Sequence, residues 1–311
     1  MKIYYDINNF RVERPVITIG SFDGVHLGHL KIINRLNEIA RQRQGESVVF
    51  TFFPHPRQIL FPEEGNLRLL TTIEEKKELF EKAGIEHLII FPFTKEFSKL
   101  GYKDFVKQIL VEKLAVKILV VGYDHKFGRN REGDFNMLES LSHIYNFTVE
   151  KLDALLIDNI NISSTKIRQA LQEGQAEQAK RYLGYHFCLH GTVVEGQKLG
   201  RRIQFPTANI ESSDPNKIVP GFGVYAVRVK FRGNDLPGML NIGTRPTVNN
   251  NADHRSIEVH IIGFEGNLYR QQIEIEFISK IREEQKFESI EDLKQQLEKD
   301  KQTVMTLLKN F

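Results

Sequence analysis

The most informative stretch of the sequence is Gly20-Ser21-Phe22-Asp23-Gly24-Val25-His26-Leu27-Gly28-His29. It follows the apolar run 16–19 and precedes apolar residues at helical spacing, which predicts a strand, a glycine-containing turn and the start of a helix. Glycine lets the backbone close around a phosphate chain, and His26 and His29 are three residues apart on the first helical turn. Open α/β sheets bind nucleotides at such turns, so we expect chemistry at a phosphate.

The first 160 residues or so alternate between short β-rich runs and amphipathic helical patterns. The β-rich runs are 16–19, 47–53, 87–91, 117–121 and 148–151. Thr72 and Glu75 form a capping box that predicts a helix running to Ala83. This alternation predicts an α/β domain with a doubly wound parallel sheet, which binds ligands beyond the carboxyl ends of its strands.

The pattern changes in the second half of the chain. Two short helical patterns, 164–172 and 175–183, are followed by β-rich runs separated by glycine turns, at 189–194, 224–231, 237–242, 256–262 and 272–279. These runs predict a small antiparallel β-barrel, and apolar residues at helical spacing over 289–308 predict a C-terminal helix packed on it. We therefore predict two domains, 1–183 and 184–311.

The length, charge and cysteine content of the chain limit the classes of protein to which it can belong. A length of 311 residues suits two domains, and 43 basic against 40 acidic residues give a formal net charge of +3 without a basic block. We therefore expect no nucleic-acid partner, while small anionic substrates remain compatible. The single Cys188, the polar start of the chain and the lack of a bilayer-length apolar segment predict a cytoplasmic protein without membrane contact. No obligatory protein partner is evident.

A second motif, Ile162-Ser163-Ser164-Thr165-Lys166-Ile167-Arg168, carries serines that suit the start of a helix. The free backbone N–H groups of that helix, together with Ser164, Lys166 and Arg168, are positioned to converge on a triphosphate. An ordinary capped surface helix is the alternative interpretation.

Two further segments follow predicted strand ends. In the glycine-punctuated loop 122–134, Asp124 suits a ribose or base and Phe127 suits stacking on a ring, although a solvated loop explains the same residues. In Phe52-Phe53-Pro54-His55-Pro56, aromatic side chains lie beside two rigid prolines. The buried end of a strand explains these phenylalanines equally well.

The segment 196–209 and the strand around Glu258 carry the chemistry of the second half. Thr207 and Asn209 face the same way on an extended segment, so they can share one magnesium ion or one phosphate. A Pro-Thr-x-Asn turn capped by its own side chains is the alternative. Glu258 suits a general base, or else an outward-facing carboxylate of an alternating strand. No Walker-type phosphate loop occurs in the sequence.

In this order, the motifs closely resemble the prokaryotic bifunctional FAD synthetases, in which an FMN adenylyltransferase is joined to a riboflavin kinase. The resemblance covers nearly the whole chain. It implies an N-terminal nucleotidyltransferase domain followed by a six-stranded riboflavin-kinase barrel. The implied substrates and products are ATP, riboflavin, FMN and FAD, with Mg²⁺ accompanying ATP.

For the first domain, the resemblance implies that the FMN phosphate attacks the α-phosphorus of ATP and expels pyrophosphate. His26, His29 and Arg168 would stabilise the developing charge, and no protein base is required because the nucleophile is already anionic. The implied ATP-binding residues are Gly20, Phe22, Asp23, Gly24, Gly28, Ser164 and Lys166. The implied flavin-binding residues are Phe52, Pro56, Asp124 and Phe127.

For the second domain, the resemblance implies that Glu258 accepts the proton of the riboflavin 5′-hydroxyl as this group attacks the γ-phosphate. Thr207 and Asn209 would hold magnesium. The implied ATP-binding residues are Gly191, Gly200, Thr207 and Asn209, and Arg282 is implied in flavin binding.

The chain departs from the family pattern at three positions. His125 replaces a common phenylalanine, Gln204 replaces the glycine before Phe205-Pro206, and Arg270 follows Tyr269 where glycine is frequent. If the backbone needs a positive φ at Gln204, a non-glycine residue there costs on the order of 1 kcal/mol. We expect the kinase reaction to be retained.

Three other functions remain to be weighed. A dedicated adenylyltransferase with a purely structural barrel does not require the intact Thr207, Asn209 and Glu258. An aminoacyl-tRNA synthetase fragment would carry a basic tRNA-binding extension, which the sequence lacks. A flavin-sensing or RNA-contacting barrel on a degenerate enzyme predicts lost catalytic side chains, whereas the expected polar residues are present.

Overall fold

The structure, a computed structural model, describes residues 1–63, 67–157, 160–196, 203–244 and 255–309. It divides into two compact units, Met1–Ser164 and Thr165–Phe311. The predicted domain boundary lies between residues 183 and 184, and it places the helical segments 164–172 and 175–183 in the first domain. This boundary stays a prediction.

The first unit is built on a six-stranded, fully parallel sheet. Its strands are β1 (Lys2–Tyr4), β2 (Pro15–Ile19), β3 (Glu46–Phe53), β4 (His87–Pro92), β5 (Ile118–Gly122) and β6 (Thr148–Leu152), in the spatial order β1-β4-β3-β2-β5-β6. All five residues of the central β2 are buried, as expected for a parallel strand covered on both faces.

Helices lie on both faces of this sheet, each face with its own apolar core. They are α1 (Leu27–Gln42), α2 (Pro56–Leu60), α3 (Ile73–Lys82), α4 (Tyr102–Asp104), which continues as a π-helix over Phe105–Lys113, and α5 (Phe135–Tyr145). Short 3₁₀ turns occur at Phe97–Lys99 and Arg129–Arg131, and β7 (Leu156–Ile157) and β8 (Ile160–Asn161) form a two-stranded ribbon. The predicted doubly wound α/β class is confirmed.

The second unit is a closed, antiparallel six-stranded barrel with flanking helices. Its elements are α6, which begins at the unit boundary (Ser164–Gln172), α7 (Ala176–Leu183), β9 (Cys188–Val194), β10 (Ala208–Ser212), β11 (Gly223–Phe231), β12 (Asn234–Thr244), β13 (Arg255–Ile261), β14 (Gln272–Arg282) and α8 (Ile290–Leu307). The strands close in the order β10-β13-β12-β11-β14-β9. The predicted barrel with its C-terminal helix is confirmed.

Helix α8 is attached to the barrel by both apolar and ionic contacts. Val304 is fully buried in a core with Phe205 and Met239. Arg282, at the end of β14, forms an ion pair with Asp300 of α8. Among the described residues, we find no helix with the length and apolar character needed to cross a bilayer.

Candidate active sites

The turn after β2 positions the two histidines of the first unit. His26 is the N-cap residue of α1, and the backbone N–H of His29 donates to His26 Nδ1 at 3.3 Å. The two imidazoles stack with centroids 3.6 Å apart and an angle of 16° between their planes. A Cβ on Gly28 would lie 3.2 Å from the His26 ring, so glycine provides the space for this stacking.

Burial keeps both imidazoles neutral near pH 7. Desolvation lowers the pKa of His26 to about 4, against the opposing effect of the Asp23 carboxylate. Burial, followed by the charges of His26 and Lys76, lowers the pKa of His29 well below its usual value. Because His26 Nδ1 accepts a hydrogen bond, the proton of its neutral ring resides on Nε2, which is therefore a donor.

His29 retains an unsatisfied polar atom. Its Nδ1 is buried and has no hydrogen-bond partner among the residues that the structure describes. Buried polar atoms are rarely left unpaired. The stacked pair thus offers ring nitrogens to a ligand at the carboxyl end of β2, where nucleotides bind in such sheets.

Asp23 and Phe22 hold this turn from the protein side. The Asp23 carboxylate accepts hydrogen bonds from the backbone N–H groups of Leu70 and Thr71, at 3.0 and 3.2 Å. The Phe22 side chain is only 3% exposed and packs edge-on against His29, with centroids 5.1 Å apart. The side chains of these two predicted ATP-binding residues therefore contact the protein itself.

The other predicted ATP-binding residues of this region lie around the same turn or on α6. Gly20 follows β2 directly, and its N–H donates to the Phe50 carbonyl at 3.1 Å. Gly24 has a φ of +86°. The Ser164 hydroxyl donates to the backbone oxygen of Asp23 at 2.9 Å, which ties the start of α6 to the turn. Farther along α6, Lys166 is exposed and Arg168 is half-buried.

The predicted flavin-binding residues lie at the carboxyl ends of β3 and β5, the two neighbours of β2. Phe52 is half-buried, Pro56 is the first residue of α2, and Asp124 is exposed. The Phe127 ring is only 7% exposed and belongs to the core, so it does not form an open stacking surface. His125, one of the departures from the family pattern, stacks on Phe127 with centroids 5.8 Å apart.

In the barrel, strand register brings the predicted kinase residues together. Asn209 of β10 is the pairing partner of Glu258 of β13, and the Thr207 hydroxyl donates to Glu258 Oε2 at 3.3 Å. A Cβ on Gly196 would lie 2.0 Å from the Asn209 amide nitrogen, so only glycine leaves room for this amide. Thr207 also lines a pocket with Pro206, Val259 and Leu268.

Sequence reasoning missed two residues near these sites. Asn241 of β12 pairs with Glu258 on the side opposite Asn209, and its amide donates to Glu284 Oε1 at 3.2 Å. Asn241 could have been found from the alternation of side chains along β12 and from the pairing of β12 with β13. Lys76 is buried directly beneath the histidine turn. The sequence indicates it only as a lysine on the otherwise apolar face of α3.

Two of the remaining predicted site residues, Gly191 and Arg282, are in contact with other residues of the barrel unit. A Cβ on Gly191 would lie 2.4 Å from Ile210 Cγ2, so glycine allows β10 to approach β9. The Arg282 guanidinium binds the Asp300 carboxylate. Gly200 lies outside the described residues. Gln204 and Arg270, where the family favours glycine, have φ values of +68° and +62°.

Comparisons with known proteins match the two halves of the chain to two enzyme families. The family model of FAD synthetase matches residues 10–166, and that of riboflavin kinase matches residues 183–308. The bifunctional riboflavin kinase/FMN adenylyltransferase of Buchnera aphidicola subsp. Schizaphis graminum is 37% identical over 305 residues, which cover 96% of each chain. The enzyme of the same name from Escherichia coli K12 is 38% identical over 307 residues, 97% of this chain and 96% of that one.

A solved structure has the same fold over nearly the full length. It is described as a macrolide-efflux protein from Streptococcus pneumoniae, with a TM-score of 0.88, 27% identity and coverage of 97% of both chains. Both family models and the near-complete relatives agree on two linked activities. The chain belongs to the family of bifunctional riboflavin kinase/FMN adenylyltransferases, enzymes that convert riboflavin to FMN and FMN to FAD.

Proposed function

We propose that the two reactions are divided between two sets of residues, one in each unit. The turn that carries His26 and His29 performs adenylyl transfer, and the cluster of Thr207, Asn209 and Glu258 performs phosphorylation. The observation that carries this division is that the stacked imidazoles lie within residues 1–164, whereas the carboxylate with its hydroxyl and amide neighbours lies within residues 165–311.

In adenylyl transfer, an oxygen of the FMN phosphate forms a bond to the α-phosphorus of ATP, and the bond to pyrophosphate breaks. The nucleophile is anionic, so the protein aligns the reactants and stabilises charge without removing a proton. His26 supplies its Nε2–H as a neutral donor, and the positive end of the α1 dipole favours phosphate at the same turn. The contributions of Lys166 and Arg168 stay predictions.

In phosphorylation, the Glu258 carboxylate takes the proton of the riboflavin 5′-hydroxyl while that oxygen attacks the γ-phosphorus and ADP departs. The hydrogen bond from Thr207 orients the carboxylate in the free protein. A neutral hydroxyl needs such help, which is worth on the order of 10²- to 10⁴-fold in rate.

The residues also fit a magnesium ion. Thr207 Oγ1 and the Asn209 side-chain oxygen are hard ligands of the kind that Mg²⁺ prefers, and Gly196 leaves the Asn209 amide unobstructed. Bound Mg²⁺ supplies neutralisation of charge on the phosphates of ATP. Phe52, Pro56 and Asp124 are the proposed flavin contacts of the first unit, and a cytoplasmic location stays a prediction.

Two matched variants test the division. His29→Ala is expected to abolish conversion of FMN to FAD and to leave riboflavin phosphorylation nearly intact, and Glu258→Gln is expected to do the reverse. Both reactions are measured in the same preparation by chromatographic separation of riboflavin, FMN and FAD. The proposal fails if either substitution silences both reactions while circular dichroism shows a folded protein.

A further inference from the structure

A lysine is buried beneath the histidine turn. Lys76 of α3 is 4% exposed, and its Nζ donates to the backbone oxygen of Ser21 at 2.7 Å. The same oxygen accepts a longer hydrogen bond, 3.3 Å, from the Thr51 hydroxyl. Burying an ammonium group is costly unless it is hydrogen-bonded or paired. An apolar side chain would fill this position, between Ile73 and Phe80 on the same helical face, without that cost.

A chain of contacts links α3 to the imidazoles. Phe80, one turn after Lys76, packs edge-on against the Phe22 ring with centroids 5.6 Å apart. Phe22 in turn packs against His29, which stacks on His26. Helix α3 therefore holds two consecutive residues of the turn, Ser21 by its carbonyl and Phe22 by its ring. Because the peptide unit is planar, fixing the Ser21 carbonyl also fixes the start of Phe22.

The segment before α3 reinforces this attachment. Leu70 and Thr71 donate to the Asp23 carboxylate, and the Thr71 hydroxyl accepts from the Gly24 N–H at 3.0 Å. The Asp23 charge raises the pKa of Lys76 against the larger lowering effect of burial. Among these contacts with the turn, that of Lys76 places a basic group directly behind it.

We propose that Lys76 is a positioning residue for adenylyl transfer. By holding the Ser21 carbonyl, it sets the turn at the orientation in which the His26–His29 pair meets the phosphates of ATP. The inference rests on the proposed function of His29, since Lys76 acts only through the turn and does not touch the substrate.

Three variants of the full chain test this role. Lys76→Met keeps the side-chain length and removes the donor, and Lys76→Arg keeps a cationic donor. Lys82→Met is the matched control, because Lys82 is exposed at the end of the same helix. We expect Lys76→Met to lower the kcat of FMN adenylylation by about 100-fold, the scale of a small misplacement in an active site. The KM for ATP changes far less, and Lys76→Arg recovers a large part of the lost kcat.

Circular dichroism and thermal unfolding of the same preparations report folding of the chain, and Lys82→Met is expected to match the wild type in both reactions. A wild-type adenylylation kcat in folded Lys76→Met overturns the inference, as does an equal loss in folded Lys76→Met and Lys76→Arg. If Lys76→Met does not fold, Lys76→Gln decides. Its shorter, uncharged side chain loses the ammonium donor to the Ser21 carbonyl, and a wild-type adenylylation kcat in folded Lys76→Gln overturns the inference.

His29→Ala, measured alongside, distinguishes a failure of the proposed function from a failure of the role of Lys76. If His29→Ala adenylylates FMN normally, the proposed function of the turn fails and the inference fails with it. If His29→Ala is inactive and Lys76→Met retains full activity, only the role of Lys76 is wrong.

Discussion

Asn209 and Glu258 are paired residues on neighbouring strands of the barrel, so strand register alone keeps the amide beside the carboxylate. This pairing places the proposed magnesium ligand next to the proposed general base. The arrangement depends on close approach of the backbone at Gly196, where a methyl group would overlap the Asn209 side chain.

Gly196→Ala is therefore expected to displace the Asn209 amide and to lower the kcat of riboflavin phosphorylation by roughly tenfold or more, with FMN adenylylation unchanged. Gly101→Ala is the control, because a Cβ there meets its nearest neighbour at 3.6 Å, an ordinary contact. Steady-state assays of both reactions check the prediction. Unaltered phosphorylation in Gly196→Ala would contradict it.

Two residues of the barrel unit with left-handed backbone, Gln204 and Arg270, predict a gain in stability on replacement by glycine. Gln204 and Arg270 are exposed and have positive φ values, a conformation that glycine adopts without strain. Arg270→Gly is expected to raise the free energy of unfolding by about 1 kcal/mol. Urea denaturation measures this change. Arg270→Ala removes the same side chain without relieving the strain, so an equal gain in that variant would refute the explanation.

The low basicity of His26 predicts a loss of stability on mild acidification. The pKa of His26 is about 4 in the folded chain, compared with an ordinary value of 6.5. Between these two pH values the unfolded chain therefore binds more protons than the folded chain. Stability therefore falls as the pH drops from 6.5 towards 4, by up to about 3 kcal/mol from this group. We expect His26→Gln to flatten this part of the profile of unfolding free energy against pH.

The wild-type profile, measured in parallel, is the reference for this variant. NMR titration of the His26 ring gives a direct second measurement. A midpoint near 6.5 would show that the imidazole is not buried as described.

The ion pair between Arg282 and Asp300 predicts a strong effect of removing one partner. The Asp300 side chain is 4% exposed and that of Arg282 is 18% exposed. Asp300→Leu is expected to destabilise the chain by about 3 kcal/mol, because it leaves a largely buried cation unpaired. Arg282→Met with Asp300→Leu should recover much of this loss in urea denaturation.

The same double variant tests the predicted flavin contact of Arg282. If its KM for riboflavin equals that of the wild type, the guanidinium serves only to attach α8. A KM raised while stability is restored would support a contact with the flavin.

The central strands β2 and β5 were predicted because they are largely apolar runs, and barrel strands such as β9 because buried and half-buried residues alternate along them. The capping box of Thr72 and Glu75 marked the start of α3 correctly. The strand β1 was missed because it has only three residues, two of them exposed, at the edge of the sheet. Helix α5 was also missed, although Asp134 caps it with a hydrogen bond from the Met137 N–H.

The candidate site residues follow from residue type and spacing, and their roles stay predictions. His26, His29, Thr207, Asn209 and Glu258 lie in the clusters that their motifs indicated. Phe127 shows the limit of this reasoning, because the bridge between Phe127 and Gly133 folds the loop over the core and buries the ring. Lys76 shows another limit, since a lysine in a helix is usually solvated and only tertiary packing reveals its contact with Ser21.

The neutrality of the stacked imidazoles has a consequence for nucleotide capture. Burial lowers the pKa of both imidazoles, whereas the negative charges of a nearby triphosphate would raise it. If ATP binds at this turn as proposed, its binding is thermodynamically linked to proton uptake from solvent, and the surrounding acidity then influences how readily the first unit takes up its nucleotide.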